Sequence, residues 1–154
     1  MTIEWTIEKA LMKGAEMEIE AYNFYREQAE KDFTSGSKKL LTELAADEKE
    51  HLEKFQKALK NPSSIKINDV NEKVPDLELT DHLLKVSLDS ESNYQQILIY
   101  AAQKEKRAHD FYIQLAIKYK GTLLGEMVAS FANDELRHKY KLEKEYDEVI
   151  LRWM

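Results

Sequence analysis

The sequence predicts an all-α protein built as a four-helix bundle, with two antiparallel helix hairpins joined by a long crossover. Only four glycines and two prolines interrupt the 154 residues. Apolar residues recur at helical spacing, and few stretches alternate with the period of two that marks a strand. An apolar content of 43% is enough to fill a sizeable core. We therefore expect residues 1–154 to form a single helical domain.

The first hairpin is expected to span residues 6 to about 60. Thr6 is a plausible N-cap for a helix that continues to about Lys31, and the turn-forming residues 32–37 follow it. A second helix is expected from about Ser37 to Lys60, where an Asn-Pro pair stops it. Because the connection is short, these two helices must run antiparallel.

The crossover is expected to occupy residues 61 to about 89, which contain both prolines and show no helical periodicity. Within it, Thr80 or Asp81 could cap a short extra helix that continues to about Leu88. The chain then enters a second hairpin of long helices.

The second hairpin is expected to span residues 90 to about 150. Its first helix begins near Ser90 and ends at about Lys120, before Gly121, and its second begins at about Thr122. The order of elements is thus hairpin, long crossover, hairpin.

The charge pattern excludes several classes of function. Charged residues make up 34% of the chain with a net charge of −6, and no concentrated basic face marks a nucleic-acid partner. No apolar run approaches the roughly 18 residues of a membrane helix, so no membrane partner is expected. The first residues lack the features of a signal peptide, and there is no cysteine for a disulfide. These observations favour a soluble, cytoplasmic protein.

The two hairpins repeat each other in sequence. A shift of 87 positions, which moves Glu18 onto Glu105, superposes both helices of each hairpin without a gap. Helical periodicity alone would align apolar residues with other apolar residues. This shift also aligns identical glutamate, tyrosine, aspartate and histidine residues. The matched pairs are Tyr25/Tyr112, Asp47/Asp134, Glu48/Glu135 and His51/His138. The chain therefore carries an internal duplication.

The repeated polar residues have the spacing of metal ligands. Glu48 and His51 lie about 300° and about 4.5 Å apart along a helix, on neighbouring lines of one face. Glu18 precedes Tyr25 by seven residues and shares its inward face. Burying a carboxylate costs free energy unless a partner compensates its charge, and a divalent cation would be such a partner. Oxygen and nitrogen ligands without sulfur suit iron, manganese or zinc. The alternative is that each pair belongs to a charged, exposed helix face.

The full pattern, one Glu from each of two helices and Glu-x-x-His from each of the other two, is typical of di-iron carboxylate bundles. The chain resembles the ferritin-like superfamily, and within it the rubrerythrin (erythrin) branch. That resemblance implies two metal ions per site, with iron preferred and manganese or zinc as alternatives. The implied ligands are Glu18, Glu48, His51, Glu105, Glu135 and His138.

The resemblance also assigns roles to residues beside the ligands. Tyr25 and Tyr112 match the tyrosines of the family's first and third helices, in either a packing or a redox role. Asp47 and Asp134 match an aspartate that accepts a hydrogen bond from the second nitrogen of a ligand histidine.

Two departures from rubrerythrin affect the expected function. The chain has no cysteines for a rubredoxin domain, so electrons would come from an external electron-transfer protein. Ala108 stands where rubrerythrins place an extra glutamate, which leaves a symmetric ligand set. His109, one turn after Glu105, is an imidazole whose role the sequence leaves open.

The implied function is a di-iron oxidoreductase in which ferrous iron reacts with hydrogen peroxide or dioxygen. One alternative is iron binding or storage without catalytic turnover, and another is a structural metal-binding bundle. The crossover is long enough either to return within its own bundle or to pass the second hairpin to a partner. We therefore expect a homodimer, in which hairpins could be exchanged between chains.

Overall fold

The computed structural model describes residues 6–61 and 87–150, and these residues form helices and connecting turns without any strand. The four long helices are α1 (Ile7–Ala29), α2 (Ser37–Lys60), α3 (Tyr94–Lys118) and α4 (Leu123–Glu145), and a π-helical turn (Tyr146–Ile150) follows α4. These are the elements of a ferritin-like four-helix bundle. The predicted all-α fold class is confirmed.

The chain divides into two compact units, Met1–Ile67 and Asn68–Met154, and each contains one hairpin. Helix α1 packs along α2 in the first unit (hairpin 1), and α3 packs along α4 in the second (hairpin 2). Each helix contributes a buried stripe with helical spacing, as an amphipathic helix must when it packs on a partner. That the whole chain forms one domain stays a prediction.

Local capping sets the ends of hairpin 1. The Thr6 hydroxyl accepts a hydrogen bond from the Lys9 backbone N–H (3.1 Å), which confirms the predicted N-cap. Helix α1 ends at Ala29, two residues before the predicted end, and Asp32 in the turn has a left-handed φ of 53°. Helix α2 has its predicted bounds. Its first residue, Ser37, is buried and bonds both the N–H and the C=O of Thr34.

Hairpin 2 begins later than predicted, because α3 starts at Tyr94 and not near Ser90. Asn93 and Gln96 form a capping box, in which each side chain accepts a hydrogen bond (2.9 Å) from the other residue's backbone N–H. Before it, the Ser92 hydroxyl accepts a hydrogen bond from the Asp89 N–H (2.9 Å) and forms a turn. The sequence pattern Asn-x-x-Gln marks this start, and the prediction overlooked it.

The turn between α3 and α4 is short and tightly packed. Gly121 adopts a left-handed φ of 83° there. The Thr122 hydroxyl caps α4 by accepting from the Gly125 N–H (3.1 Å), and it donates to the Tyr119 carbonyl (2.6 Å). A Cβ at Gly125 would overlap that same carbonyl oxygen, so the turn requires glycine at this position. The predicted boundary at Gly121 and Thr122 is confirmed.

The predicted extra helix of the crossover falls mainly on residues 62–86, which lie outside the described residues. Residues 87–89, at its predicted end, are not helical. Among the helices that the structure describes, none combines the length and the apolar character needed to cross a membrane.

Candidate metal centre

Hairpin 1 brings its three predicted ligands together. Glu18 comes from the middle of α1, and Glu48 and His51 come from neighbouring lines of α2. All three are buried, with 1–3% of their surface exposed. Nδ1 of His51 lies 3.4 Å from Oε1 of Glu18 and 3.6 Å from Oε1 of Glu48. We call this set the hairpin 1 half-site.

Hairpin 2 repeats the arrangement with Glu105 on α3 and with Glu135 and His138 on α4. These residues are again buried, at 0–2% exposure. Nδ1 of His138 lies 3.5 Å from Oε2 of Glu105 and 3.6 Å from Oε2 of Glu135. We call this set the hairpin 2 half-site. Its histidine–glutamate distances agree with those of the hairpin 1 half-site to within 0.1 Å. The structural repeat therefore extends to the polar side chains.

The same ring nitrogen, Nδ1, faces the carboxylates in both half-sites. The three-residue spacing within α2 and α4 places Glu and His side by side on one helix face, and the ring orientation in the folded hairpin turns Nδ1 towards the carboxylates. Nε2 is therefore the nitrogen left for the second partner that the sequence analysis expected. Tautomer and orientation of a ligand histidine are usually fixed through such a partner.

Electrostatics within hairpin 2 also favour a cation beside its carboxylates. Burial raises the pKa of Glu105 well above its usual range, and the negative charge of Glu135 beside it raises that pKa further. The His138 imidazole opposes the shift only in part. Two adjacent buried carboxylates do not both ionise readily unless a cation compensates them.

The donor chemistry of each half-site fits a divalent metal ion. Two carboxylates balance the charge of one divalent cation, and a neutral imidazole adds a nitrogen ligand. No half-site residue carries sulfur, and the sequence contains no cysteine. Such oxygen and nitrogen sets suit iron, manganese or zinc. The residues present therefore fit the metal centre that the rubrerythrin resemblance implies, with Glu18, Glu48 and His51 in one half-site and their repeats in the other.

Tyr25 and Tyr112 lie seven residues after Glu18 and Glu105 and are buried, at 1% and 0% exposure. The Tyr112 ring packs against Phe131 of α4, with ring centres 6.0 Å apart. Both tyrosines are thus inward-facing, as predicted. Their participation in a reaction stays a prediction.

Asp134 has a partner that the sequence analysis did not predict. Its Oδ1 accepts a hydrogen bond from Nη1 of Arg137 (2.8 Å), one turn along α4, and both side chains are about a third exposed. Hairpin 1 has no such pair, because Glu50 occupies the position equivalent to Arg137. The expected hydrogen bonds from Asp47 and Asp134 to the ligand histidines stay predictions.

His109 lies at the partly exposed edge of α3, with 27% of its side chain accessible. Its Nδ1 is 3.1 Å from Oδ1 of the neighbouring Asp110. This contact gives His109 a surface partner beside the half-site.

A buried ion pair next to the hairpin 2 half-site was not foreseen from the sequence. Nζ of Lys139 lies 3.3 Å from both carboxylate oxygens of Glu143, and both residues are nearly inaccessible. Lys139 follows His138 directly, whereas hairpin 1 has Leu52 and Gln56 at the equivalent positions. The four-residue spacing of opposite charges on an inward face was the available signal.

Comparison with protein families supports the resemblance. The rubrerythrin family model matches residues 2–59 of the 154, a segment that includes all three ligands of hairpin 1. The rubrerythrin resemblance is therefore confirmed for the first hairpin, and the internal repeat relates the second hairpin to it. Neither the curated proteins nor the solved structures contain a match.

Proposed function

We propose that this protein is a rubrerythrin-like di-iron oxidoreductase, in which ferrous iron reacts with hydrogen peroxide or dioxygen. One observation supports this most directly. In each hairpin, two buried glutamates converge on Nδ1 of a histidine at 3.4–3.6 Å. The match of the rubrerythrin model to residues 2–59 links this arrangement to an iron-binding family.

We propose that the two half-sites act together on a pair of metal ions. Four carboxylates balance two divalent cations, and each imidazole completes the ligands of one ion. Iron is the favoured metal, with manganese and zinc as alternatives. The two half-sites would come either from one chain or from the two chains of a homodimer with exchanged hairpins. A cytoplasmic location belongs to the same proposal.

A ferrous pair supplies the two electrons that reduce hydrogen peroxide, with two protons, to two waters. The chain's own residues hold the ions and keep bulk water out, because every proposed ligand is nearly inaccessible. Tyr25 and Tyr112 are also buried, and we propose that each phenol hydrogen-bonds to a ligand carboxylate. We propose that an electron-transfer protein returns the iron to the ferrous state.

The first test is metal content combined with reactivity. We expect protein loaded with ferrous iron to bind two ions per chain, and stopped-flow absorbance to show oxidation by peroxide or oxygen within seconds. Glu48→Ala and Glu135→Ala should each lose metal and reactivity, because each removes a buried ligand carboxylate. Glu43→Ala is the matched control, since Glu43 is an exposed carboxylate on the same helix, five positions before Glu48.

The outcomes separate the candidate functions. Unchanged metal content in both ligand variants would remove the metal centre from the proposal. Bound iron that neither oxidant oxidises would contradict the enzyme and favour a structural metal site. Iron that is oxidised once, but does not turn over when an electron donor is supplied, would favour iron storage.

A further inference from the structure

The two half-sites have the same donors but opposite charges around them. We consider the charged residues within two positions of a ligand, leaving out the ligands themselves. In hairpin 1 these are Glu16, Glu20, Asp47, Lys49, Glu50 and Glu53. In hairpin 2 they are Lys104, Lys106, Arg107, Asp134, Arg137 and Lys139. The first flank has five acidic residues and one basic residue, and the second has five basic residues and one acidic residue.

Local pairing offsets part of this difference in both hairpins. Nζ of Lys13 lies 3.4 Å from Oε1 of Glu16 in hairpin 1. Glu143 offsets the buried Lys139 at 3.3 Å, and Asp134 is bonded to Arg137. Arg107 remains exposed on α3, and Glu20 is exposed at the equivalent position of α1. With Lys13 and Glu143 counted, the first flank still has three more acidic than basic residues, and the second has three more basic than acidic residues.

Ligand geometry offers no comparable difference between the half-sites. Both present two buried carboxylates to Nδ1 of a histidine, and the distances agree to within 0.1 Å. The internal repeat thus serves as a control, because the same ligand set forms within an acidic flank and within a basic one. The flanking charges are therefore not required to build the half-site, and their electrostatic effect on a cation is what distinguishes the two.

We infer that the two half-sites bind divalent cations with unequal affinity, and that the hairpin 1 half-site is filled first. This inference rests on the proposed metal-binding function. A divalent cation is attracted by the acidic flank of hairpin 1 and repelled by the basic flank of hairpin 2. Each exposed charge contributes little because solvent and salt screen it, but the contributions within each flank have the same sign. We expect a ratio of dissociation constants of about ten or more at low ionic strength.

Unequal affinity has a consequence for how the protein handles metal. When metal is limiting, the singly loaded form would carry its ion on Glu18, Glu48 and His51. The hairpin 2 half-site would then be the one that exchanges metal with solution. The doubly loaded, reactive form would appear only above a threshold metal concentration.

The test is a titration of the full-length, metal-free protein with Mn²⁺, followed by calorimetry and by electron paramagnetic resonance of free and bound Mn²⁺. At low ionic strength we expect two binding events whose dissociation constants differ about ten-fold or more. High salt should reduce the difference between the two dissociation constants, because it screens the flanking charges. His138→Ala should retain the tighter event, whereas His51→Ala should retain only the weaker one.

A charge exchange between equivalent positions tests the cause directly. The four-residue variant Glu20→Arg, Glu50→Arg, Arg107→Glu and Arg137→Glu keeps the net charge and removes the net charge of both flanks. It should bring the two dissociation constants to within about three-fold of each other. The control exchange, Lys60→Asp with Asp147→Lys, also joins equivalent exposed positions but lies outside both flanks. It should leave the ratio unchanged.

Circular dichroism checks that the exchange variant folds. If it does not, the smaller exchange Glu20→Arg with Arg107→Glu takes its place, since both residues are exposed. The smaller exchange should reduce the ratio in the same direction. Absence of any Mn²⁺ binding by the wild-type protein would contradict the proposed function itself. Two equal events, or a ratio that neither exchange alters, would overturn this inference alone.

Discussion

The ring of Phe55 on α2 occupies the space that a side chain at position 14 of α1 would need. A Cβ added to Gly14 would overlap three carbon atoms of that ring, and Phe55 is completely buried. The equivalent positions of hairpin 2 hold Ala101 and Leu142, both also completely buried. The repeat therefore fills the same register with a Gly–Phe pair in one hairpin and an Ala–Leu pair in the other. In a close-packed core, a larger side chain at one of two contacting positions requires a smaller one at the other.

Gly14→Ala should destabilise the protein by about 1–2 kcal/mol, because the overlap with Phe55 outweighs the better helix propensity of alanine. Chemical denaturation of the metal-free protein measures this. Adding Phe55→Leu should recover most of the loss, because the double variant reproduces the Ala101–Leu142 pair. A Gly14→Ala variant as stable as wild type would show that the ring moves aside at no cost.

Tyr25→Phe and Tyr112→Phe should leave the metal content unchanged and slow the oxidation of ferrous iron. Each substitution removes only a buried hydroxyl from a side chain that fills the core. We expect a rate reduced about ten-fold or more if the phenol supports a proton transfer. Phe24→Leu, beside Tyr25, is the control for a change in packing alone. Equal rates in both tyrosine variants and in wild type would assign the tyrosines to packing.

Asp47→Asn and Asp134→Asn should weaken metal binding by about ten-fold or more, if each aspartate supports a ligand histidine. The Asp134 carboxylate accepts a hydrogen bond from Arg137 and is also predicted to support His138, and these two roles can be separated by mutation. Arg137→Gln removes that contact but leaves the aspartate in place. Metal affinity that falls equally in Asp134→Asn and Arg137→Gln would show that the Arg137 contact, and not a bond to His138, is the one that matters.

Glu145→Gln should stabilise the protein at neutral pH but not near pH 4. Burial and the negative charge of Glu148 raise the pKa of Glu145 above its usual 4.5, and the nearby Tyr94 hydroxyl opposes this only in part. The folded state therefore holds this proton more tightly than the unfolded state, so stability falls as pH rises through the raised pKa. Replacing the carboxylate removes that loss.

Thermal unfolding at the two pH values measures the effect of Glu145→Gln. Because Glu145 is partly exposed, we expect a small shift in Tm. Glu148→Gln should produce part of the same stabilisation, and the double variant should gain less than the sum of the two. A lower Tm for Glu145→Gln at neutral pH would show that the attraction between the Glu145 carboxylate and the Tyr94 hydroxyl outweighs burial and the repulsion from Glu148.

The sequence by itself determined the helices and the identity of the proposed ligands. Helical periodicity and caps such as Thr6 and Thr122 are local properties, so the bounds of α2 and the start of α4 could be predicted closely. The start of α3 was misplaced only because the Asn93 capping box was overlooked. The duplication is also a property of the sequence, and it identified the six proposed ligands before any geometry was known.

Tertiary structure alone decided which atoms meet within each hairpin. It showed that Nδ1 faces the carboxylates, that Lys139 is buried against Glu143, and that Phe55 excludes a side chain at position 14. It also provided the cause of the raised pKa of Glu105, which lies in burial and in the nearness of Glu135. These features depend on how side chains from two helices fill a shared, low-dielectric space. A periodic pattern along one helix fixes the face that a residue occupies, but not the atoms that it will touch.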